Sequence, residues 1–146
     1  TALIFSLLAA CTPSNDTSAP EKPAPEVTAA PAPSSKVLST HYVDAATALA
    51  ADDFAKAKAS LTSLAKESTG ELQTLAQAAA NTPDIAAMRD AFKALSNVAT
   101  TMELPPDHAV AFCPMFKGGA KWVQKKDKLA NPYFGNEMLT CGNFVN

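Results

Sequence analysis

The residues of this chain best suited to chemistry are two pairs of sulfur-containing side chains in its C-terminal part. A single proline separates Cys113 from Met115, and Met138 lies 3 positions before Cys141. Positions i and i+2 share one face of a strand, whereas positions i and i+3 are neighbours on a helix. Each pair therefore presents a thiol and a thioether together. The four residues predict a sulfur-ligated site for a soft ion such as Cu(I) or Ag(I), without metal being required for folding.

A protein-interaction module that is stapled by a structural disulfide and binds no metal is the alternative to a metal-binding protein. Two cysteines in an exported domain most often bridge each other, and methionines most often fill gaps in a core. Cys113 and Cys141 are therefore also a candidate disulfide. His108 is a candidate additional metal ligand, although its position next to a proline pair favours a solvated loop.

Sequence motifs for catalysis are absent. The chain contains no G-x-S-x-G, H-E-x-x-H or C-x-x-C motif and no glycine-rich phosphate loop. A nucleophile pair of Cys113 and His108 would lack a third group to orient it, so we expect a protein that is not an enzyme. The net charge of -2 argues against nucleic acid as a partner.

The first 36 residues indicate export and anchoring. Residues 1–10 are apolar and small, as in the hydrophobic region of a signal peptide without its basic start. The L-A-A-C string ending at Cys11 resembles the lipobox of bacterial lipoproteins, in which this cysteine carries the lipid. Residues 11–36 are rich in Pro, Ser, Thr and Ala and predict a disordered tether. We expect a periplasmic, lipid-anchored protein; cleavage near Ala10 to a secreted form is the alternative.

Residues 37–146 are enough for one small domain, and their first part is helical by pattern. Apolar residues recur at spacings of 3 and 4 up to residue 102, which predicts about four helices in an antiparallel bundle. We expect Asp52 to cap the second helix, a capping box at residues 68–71 to start the third, and Thr82 to cap the fourth. The last helix has a regular stripe that includes Met88 and Met102, which are therefore expected in the core.

The pattern changes after a proline pair at residues 105–106. Residues 109–112 and 121–124 predict a two-stranded ribbon, with a glycine pair between them. Trp122, Tyr133 and Phe134 are the aromatic residues expected to pack the ribbon against the helices. A short final helix is expected to end at Cys141, with Gly142 as its C-terminal cap. The predicted fold class is mainly α, a helical bundle followed by a small β-ribbon.

Four strings taken together resemble one family. They are R-D-A-F-K-A-L-S at residues 89–96, F-C-P-M at 112–115, G-A-K-W-V-Q at 119–124 and N-P-Y-F-G-N-E-M-L-T-C-G at 131–142. They are similar to a bacterial periplasmic domain of unknown function. This domain occurs alone on exported proteins and lipoproteins, and also appended to membrane-fusion subunits of copper and silver efflux pumps. The resemblance covers about residues 38–144.

The resemblance implies a heavy-metal context and no particular reaction. It gives the four sulfurs a role that core packing alone would not require, namely binding Cu(I) or Ag(I) in heavy-metal resistance. An efflux pump or a copper oxidase is the partner that it implies, with the membrane reached through the lipid on Cys11.

Overall fold

The computed structural model describes residues 35–145. Its helical segments are α1 Ser35–Val37, a π-helical segment Leu38–Tyr42, α2 Val43–Ala50, α3 Phe54–Glu67, α4 Gly70–Ala80 and α5 Ile85–Ala99. Its strands are β1 His108–Cys113, β2 Ala120–Lys125 and β3 Asn143–Val145, which form an antiparallel sheet in the order β2-β1-β3. The prediction of a mainly α chain with a C-terminal β segment is confirmed at this level.

The core forms where the apolar stripes of the helices meet the sheet. Leu49, Leu61 and Leu64 have no exposed surface, and neither do Met88 and Phe92 of α5. The regular stripe of α5 is thus buried as expected, and Met88 is a core residue. Met102 is only partly buried and packs against the edge of this core.

The residues expected to cap α3 and α5 are wrong in detail. The N-cap of α3 is Asp53, whose carboxylate accepts a hydrogen bond from the Lys56 amide at 2.9 Å, and not Asp52. The N-cap of α5 is Asp84 rather than Thr82. The hydroxyl of Thr82 instead donates to the carbonyl oxygen of Ala79, at the end of α4. Before each helix, two neighbouring residues have side chains suited to an N-cap, and the geometry of the turn decides which of them caps the helix.

The capping box expected at residues 68–71 does not form. Thr69 is the N-cap of α4, but its side chain makes no capping hydrogen bond. Ser68 is buried, and its hydroxyl donates to the carbonyl oxygen of Leu64 at 2.5 Å. The serine therefore ends α3 instead of starting α4, because its hydroxyl satisfies a carbonyl that the helix end leaves unpaired.

Asp52 has a different role, which is to connect the end of α2 to the C-terminal segment. It has a positive φ of 58°, and its carboxylate pairs with the guanidinium of Arg89 at 2.5 Å. It also accepts the amide of Asn136 at 3.0 Å. Arg89 completes the connection by donating to the carbonyl oxygens of Leu49 and Pro132, each at 2.9 Å. This group of contacts fixes the loop after residue 131 against α2 and α5.

The C-terminal segment differs from the expected ribbon and helix. The first two strands are paired as predicted, with Ala111 opposite Trp122 and Cys113 opposite Ala120. A third strand, β3, pairs with the other edge of β1. The expected final helix is wrong: only the 3-10 turn Gly135–Glu137 is helical, and residues 138–142 form turns and bends.

The aromatic residues of this segment pack as expected. Trp122 and Tyr133 are buried and Phe134 is partly buried. The ring of Tyr133 contacts those of Trp122, Phe92 and Phe116, with centroids 5.9, 6.1 and 4.7 Å away. Tyr133 therefore joins the sheet to α5. Its hydroxyl also donates to the carbonyl oxygen of Lys121 at 2.5 Å, so the buried polar atom is paired.

The predictions for the first 34 residues lie outside the described part of the chain. They comprise the signal peptide, lipidation of Cys11 and nearly all of the tether. Among residues 35–145, no helix combines the length and the apolar character needed to cross a membrane.

Candidate thiol site

Cys113 and Cys141 are brought together by the pairing of β1 with β3. Cys113 is the last residue of β1, and Cys141 lies two residues before β3 begins. Their Sγ atoms are 3.6 Å apart, and both thiols are free. This separation exceeds the roughly 2.05 Å of a disulfide bond and lies nearer the ~4 Å expected for two thiolates on one ion. Cys113 has no exposed surface, whereas Cys141 is half-buried.

Gly142 allows the chain to bring Cys141 this close to Cys113. It has a φ of +130°, and a Cβ atom at this position would lie 2.5 Å from the carbonyl oxygen of Phe112. No side chain fits so close to a strand backbone, and a positive φ strains any residue other than glycine. The sequence interpretation of Gly142 as a helix cap is therefore wrong, although the residue is important for another reason.

Asn131 is the residue that connects both cysteines, and it was not among the predicted site residues. Its side-chain amide donates to the carbonyl oxygen of Cys141 at 2.7 Å and also hydrogen-bonds the Cys113 thiol. Its side-chain oxygen accepts the amide of Tyr133 at 2.8 Å. Asn131 is fully buried, so every one of these bonds replaces one to water. The available signal was the N-P-Y-F-G string, since an asparagine that starts a turn often accepts the amide two residues later.

The two thiols have opposite pKa shifts. Burial raises the pKa of Cys113, but this effect is outweighed by hydrogen bonds from Asn131, from the backbone amides of Met115 and Phe116 and from Cys141, so that its pKa lies below the usual value. The pKa of Cys141 is raised, chiefly because its thiol donates to Cys113. When the pair loses its first proton, the negative charge is therefore favoured on Cys113.

The two methionines of the predicted ligand set lie in turns next to the cysteines. The strand ends at Cys113, so Met115 is in the following bend, with 65% of its surface exposed. The expected strand spacing therefore does not apply to this pair. Met138 is half-buried, and its carbonyl oxygen accepts the amide of Cys141 at 3.0 Å. Met138 and Cys141 are thus joined by the backbone hydrogen bond of a tight turn and not by a helix.

His108 is not a loop residue in contact with solvent. It is the first residue of β1 and is buried, with Nδ1 2.8 Å from the Asp107 carboxylate and no hydrogen-bond partner for Nε2. It lies five positions before Cys113 along β1, which corresponds to about 16 Å and to the opposite face of the sheet. The structure therefore does not bring His108 together with the two thiols.

Trp122 forms one wall beside the thiols. A Cβ atom on Gly142 would lie 3.1 Å from its ring, so the indole is next to the segment that carries Cys141. The indole N–H donates to the side-chain oxygen of Gln124 at 2.9 Å, which also accepts the amide of Ala130 at 3.0 Å. The W-x-Q motif therefore supports the loop that leads to Asn131. Trp122 is the only tryptophan of the chain, which makes it a natural reporter of this site.

The described part of the chain contains no cluster of the His, Cys, Asp and Glu side chains that most often bind metal ions. Residues 35–145 contain no group of three or more His, Cys, Asp or Glu side chains placed to hold a metal ion. The predicted donor set of two thiols and two thioethers is of a different kind and stays a prediction.

Comparisons with known proteins add no family assignment. No protein-family model, curated protein or solved structure matches the chain.

Proposed function

We propose that this chain is a periplasmic protein that binds Cu(I) or Ag(I) at Cys113 and Cys141, for sequestration or for transfer to an efflux pump or a copper oxidase. The observation that carries the proposal is the Sγ separation of 3.6 Å between two free thiols. Thiolate ligands at roughly 2.3 Å from one ion would lie at nearly this spacing. Soft sulfur donors favour Cu(I) over oxygen-seeking ions such as Mg²⁺.

The charge distribution of the thiol pair supports the same proposal. A cysteine binds metal as the thiolate, and hydrogen bonds lower the pKa of Cys113. The deprotonation that metal binding requires is therefore easier at Cys113 than at an ordinary cysteine. The buried position of Cys113 would also protect a bound ion from water.

In the proposed site, Met115 and Met138 complete the coordination. Thioethers need no deprotonation and do not form disulfides, which suits an oxidising compartment. Met115 is exposed and follows Cys113 in a bend, so its side chain is free to rotate toward the ion. Met138 is linked to Cys141 through the turn between them. The helices are proposed to form an antiparallel bundle that supports this end of the sheet.

Titration of the reduced chain tests the metal proposal. A Cys11→Ala variant is titrated with Cu(I) under anaerobic conditions, against a competing chelator and with Trp122 fluorescence as the signal. We expect one ion per chain and quenching of the indole. Cys113→Ser and Cys141→Ser should each abolish tight binding. Absence of binding by the reduced parent would overturn the proposal and favour the disulfide-stapled interaction module.

The contribution of the methionines needs its own comparison. Met115→Leu with Met138→Leu conserves volume and removes only the thioethers, so the free energy of unfolding should fall by less than ~1.5 kcal/mol while affinity falls strongly. Met88→Leu is the matched control, because it removes a thioether from the core of α5. Unchanged affinity in the double variant would confine binding to the cysteines.

The lipid anchor is proposed separately, from the lipobox-like string ending at Cys11. Cell fractionation of the Cys11→Ala variant tests it, with labelled fatty acid as a second measurement. We expect loss of both label and membrane association. A variant that stays in the membrane fraction and still incorporates label would exclude this anchor.

A further inference from the structure

The two thiols differ sharply in their access to solvent. Cys113 has no exposed surface and lies at the end of the central strand β1. Cys141 is half-buried in the turn before β3. Cys141 is therefore the more accessible of the two cysteines to a reagent from solvent, although their Sγ atoms are just 3.6 Å apart.

We infer that Cys113 and Cys141 form a reversible dithiol–disulfide couple, in which small thiols and disulfides react at Cys141 and Cys113 is the internal partner. The couple involves the same sulfurs as the proposed metal site. It does not depend on metal binding, because the exchange needs only the two cysteines and a small thiol or disulfide. In an oxidising compartment, the couple would determine the fraction of chains in which both cysteines are reduced and free to bind a metal ion.

The exchange with a small disulfide RSSR balances in two steps. The thiol of Cys141 loses its proton to solvent and its sulfur attacks one sulfur of RSSR; the RS–SR bond breaks, and RS⁻ leaves and takes up a proton while a mixed disulfide forms on Cys141. The thiolate of Cys113 then attacks Cys141 Sγ, expels the second RS⁻ and closes the Cys113–Cys141 disulfide. Together, two protein thiols and RSSR give one protein disulfide and two RSH.

The second step needs little movement. Reacting atoms held at about 3–3.5 Å are close to the geometry of attack, and the two Sγ atoms are 3.6 Å apart. Asn131 and Gly142 hold the backbone on the Cys141 side of this contact. Closure should therefore be fast once the mixed disulfide has formed.

The reverse direction starts at the same accessible sulfur. An external thiolate attacks Cys141 Sγ, and the sulfur of Cys113 departs with the bonding electrons. The amide of Asn131 and the backbone amides of Met115 and Phe116 hydrogen-bond that sulfur and stabilise the departing charge. The disulfide should thus be easily reduced, unlike a bridge that is purely structural.

The first test follows the reaction of the whole chain. Cys11→Ser leaves Cys113 and Cys141 as the only thiols. The reduced protein is mixed with oxidised glutathione and a Cu(I) chelator, quenched with acid and mapped by mass spectrometry. We expect the internal disulfide as the product and any glutathione adduct to be transient and confined to Cys141. A lasting adduct on Cys113, or no disulfide, would overturn the inference.

Matched variants separate the two sulfurs. In Cys113→Ser the glutathione adduct on Cys141 should accumulate. In Cys141→Ser the adduct on Cys113 should form at a rate at least about tenfold lower, because that thiol is shielded from solvent. Equal rates would contradict the inference. If either variant loses cooperative unfolding, brief iodoacetamide labelling of the reduced Cys11→Ser chain decides, with Cys141 expected to be labelled first.

Failure of this couple and failure of metal binding are distinguishable. The exchange is measured with Cu(I) withheld, and the metal titration is made on protein kept reduced. A chain that binds Cu(I) but forms no disulfide retains the proposed function and loses this inference. A chain that is oxidised and reduced by glutathione but binds no Cu(I) retains this inference and loses the proposed function.

Discussion

In the helices between residues 35 and 102, polar side chains bond mostly to the backbone of their own helix, whereas in the C-terminal segment two buried side chains bond to residues 10 or more positions away. Thr47, Thr62 and Thr74 each donate to the carbonyl oxygen four residues earlier. In the C-terminal segment, the side chain of Asn131 reaches Cys141 and that of Tyr133 reaches Lys121. The local bonds stay within one helix, whereas the longer-range bonds of Asn131 and Tyr133 fix the segment that carries Cys141.

The two parts also differ in how their interiors are filled. The helical interior is mostly alanine and leucine, with the hydroxyls of Tyr42 and Ser96 hydrogen-bonded to each other at 2.6 Å. The C-terminal interior includes Gln124 and Asn131, whose side-chain amides are hydrogen-bonded, and His108, which is paired through Nδ1 only. An apolar interior tolerates substitutions of similar volume, whereas a polar one depends on particular atoms. This difference explains why the candidate site lies in the second part.

The largest effect is expected where the two parts meet. Phe92 is fully buried, stacks on Tyr42 at 5.0 Å and contacts Tyr133. Phe92→Ala should lower the free energy of unfolding by about 3–5 kcal/mol, because it leaves a cavity in the shared core. Denaturation followed by far-UV circular dichroism and by Trp122 fluorescence should give one transition. Two separate transitions would mean that the helices and the sheet unfold independently.

Asn131→Ala tests the polar part alone. It leaves the amide of Tyr133 and the carbonyl oxygen of Cys141 without their partner, which should cost about 1–3 kcal/mol of stability. It should also raise the pKa of Cys113 by removing a hydrogen bond to the thiolate, so that alkylation of this thiol shifts to higher pH. Ala65→Gly is the control, because it destabilises the chain within α3, away from the thiols. A glycine variant that altered the alkylation profile equally would contradict a specific role for Asn131.

Asp84→Ala examines a purely local interaction. The carboxylate of Asp84 accepts the amide of Ala87 at 2.8 Å, and loss of an N-cap typically costs about 1 kcal/mol. Thr82→Ala is the control, since its hydroxyl ends α4 and does not cap α5. Thermal unfolding of both variants should show the larger loss for Asp84→Ala. The opposite order would restore Thr82 as the cap.

The smallest effect is expected at Asp52, and it depends on pH. Hydrogen bonds from Arg89 and from the Asn136 amide lower the pKa of this carboxyl in the folded state, so it contributes stability above its usual pKa of 3.8, and this is lost as the pH falls through the lowered value. Asp52→Asn keeps a residue that tolerates the positive φ. At pH 7 it should cost roughly 0.2–1 kcal/mol, because the pair is partly exposed.

The control for this prediction is the same pair of proteins at low pH. Once Asp52 is protonated in both folded and unfolded wild type, the difference between wild type and Asp52→Asn should shrink toward zero. Unfolding in urea over a range of pH measures it. A difference that stays constant would show that Asp52 acts through shape and not through charge.

Helix and strand positions were largely predictable because their signals are local. The stripe that includes Met88 and Phe92 has the period of a helix, and residues 109–112 and 121–124 lie within β1 and β2. The caps were less predictable, since Thr82 and Asp84 are both suitable residues. The choice depends on where α4 ends, because the Thr82 hydroxyl is used there.

The thiol site was predictable only as a set of residues. The sequence alone identifies Cys113 and Cys141 as the thiols of the C-terminal part, but spacing along a strand or helix does not describe their geometry. The separation of 3.6 Å arises from the pairing of β1 with β3, and β3 is too short to be recognised by pattern. Asn131 connects to both cysteines across 10 or more residues, and such contacts leave no periodic signal.

The sequence by itself therefore determined the helical framework, the first two strands and the identity of the sulfur residues, because periodicity and residue type act over a few neighbouring positions. Only the tertiary structure decided which thiol is buried, which donors surround it and how near the second thiol lies. It also placed His108 at the far end of β1 and Met115 on the surface. These properties depend on packing between distant segments, where a buried polar atom must find its partner wherever the fold provides one.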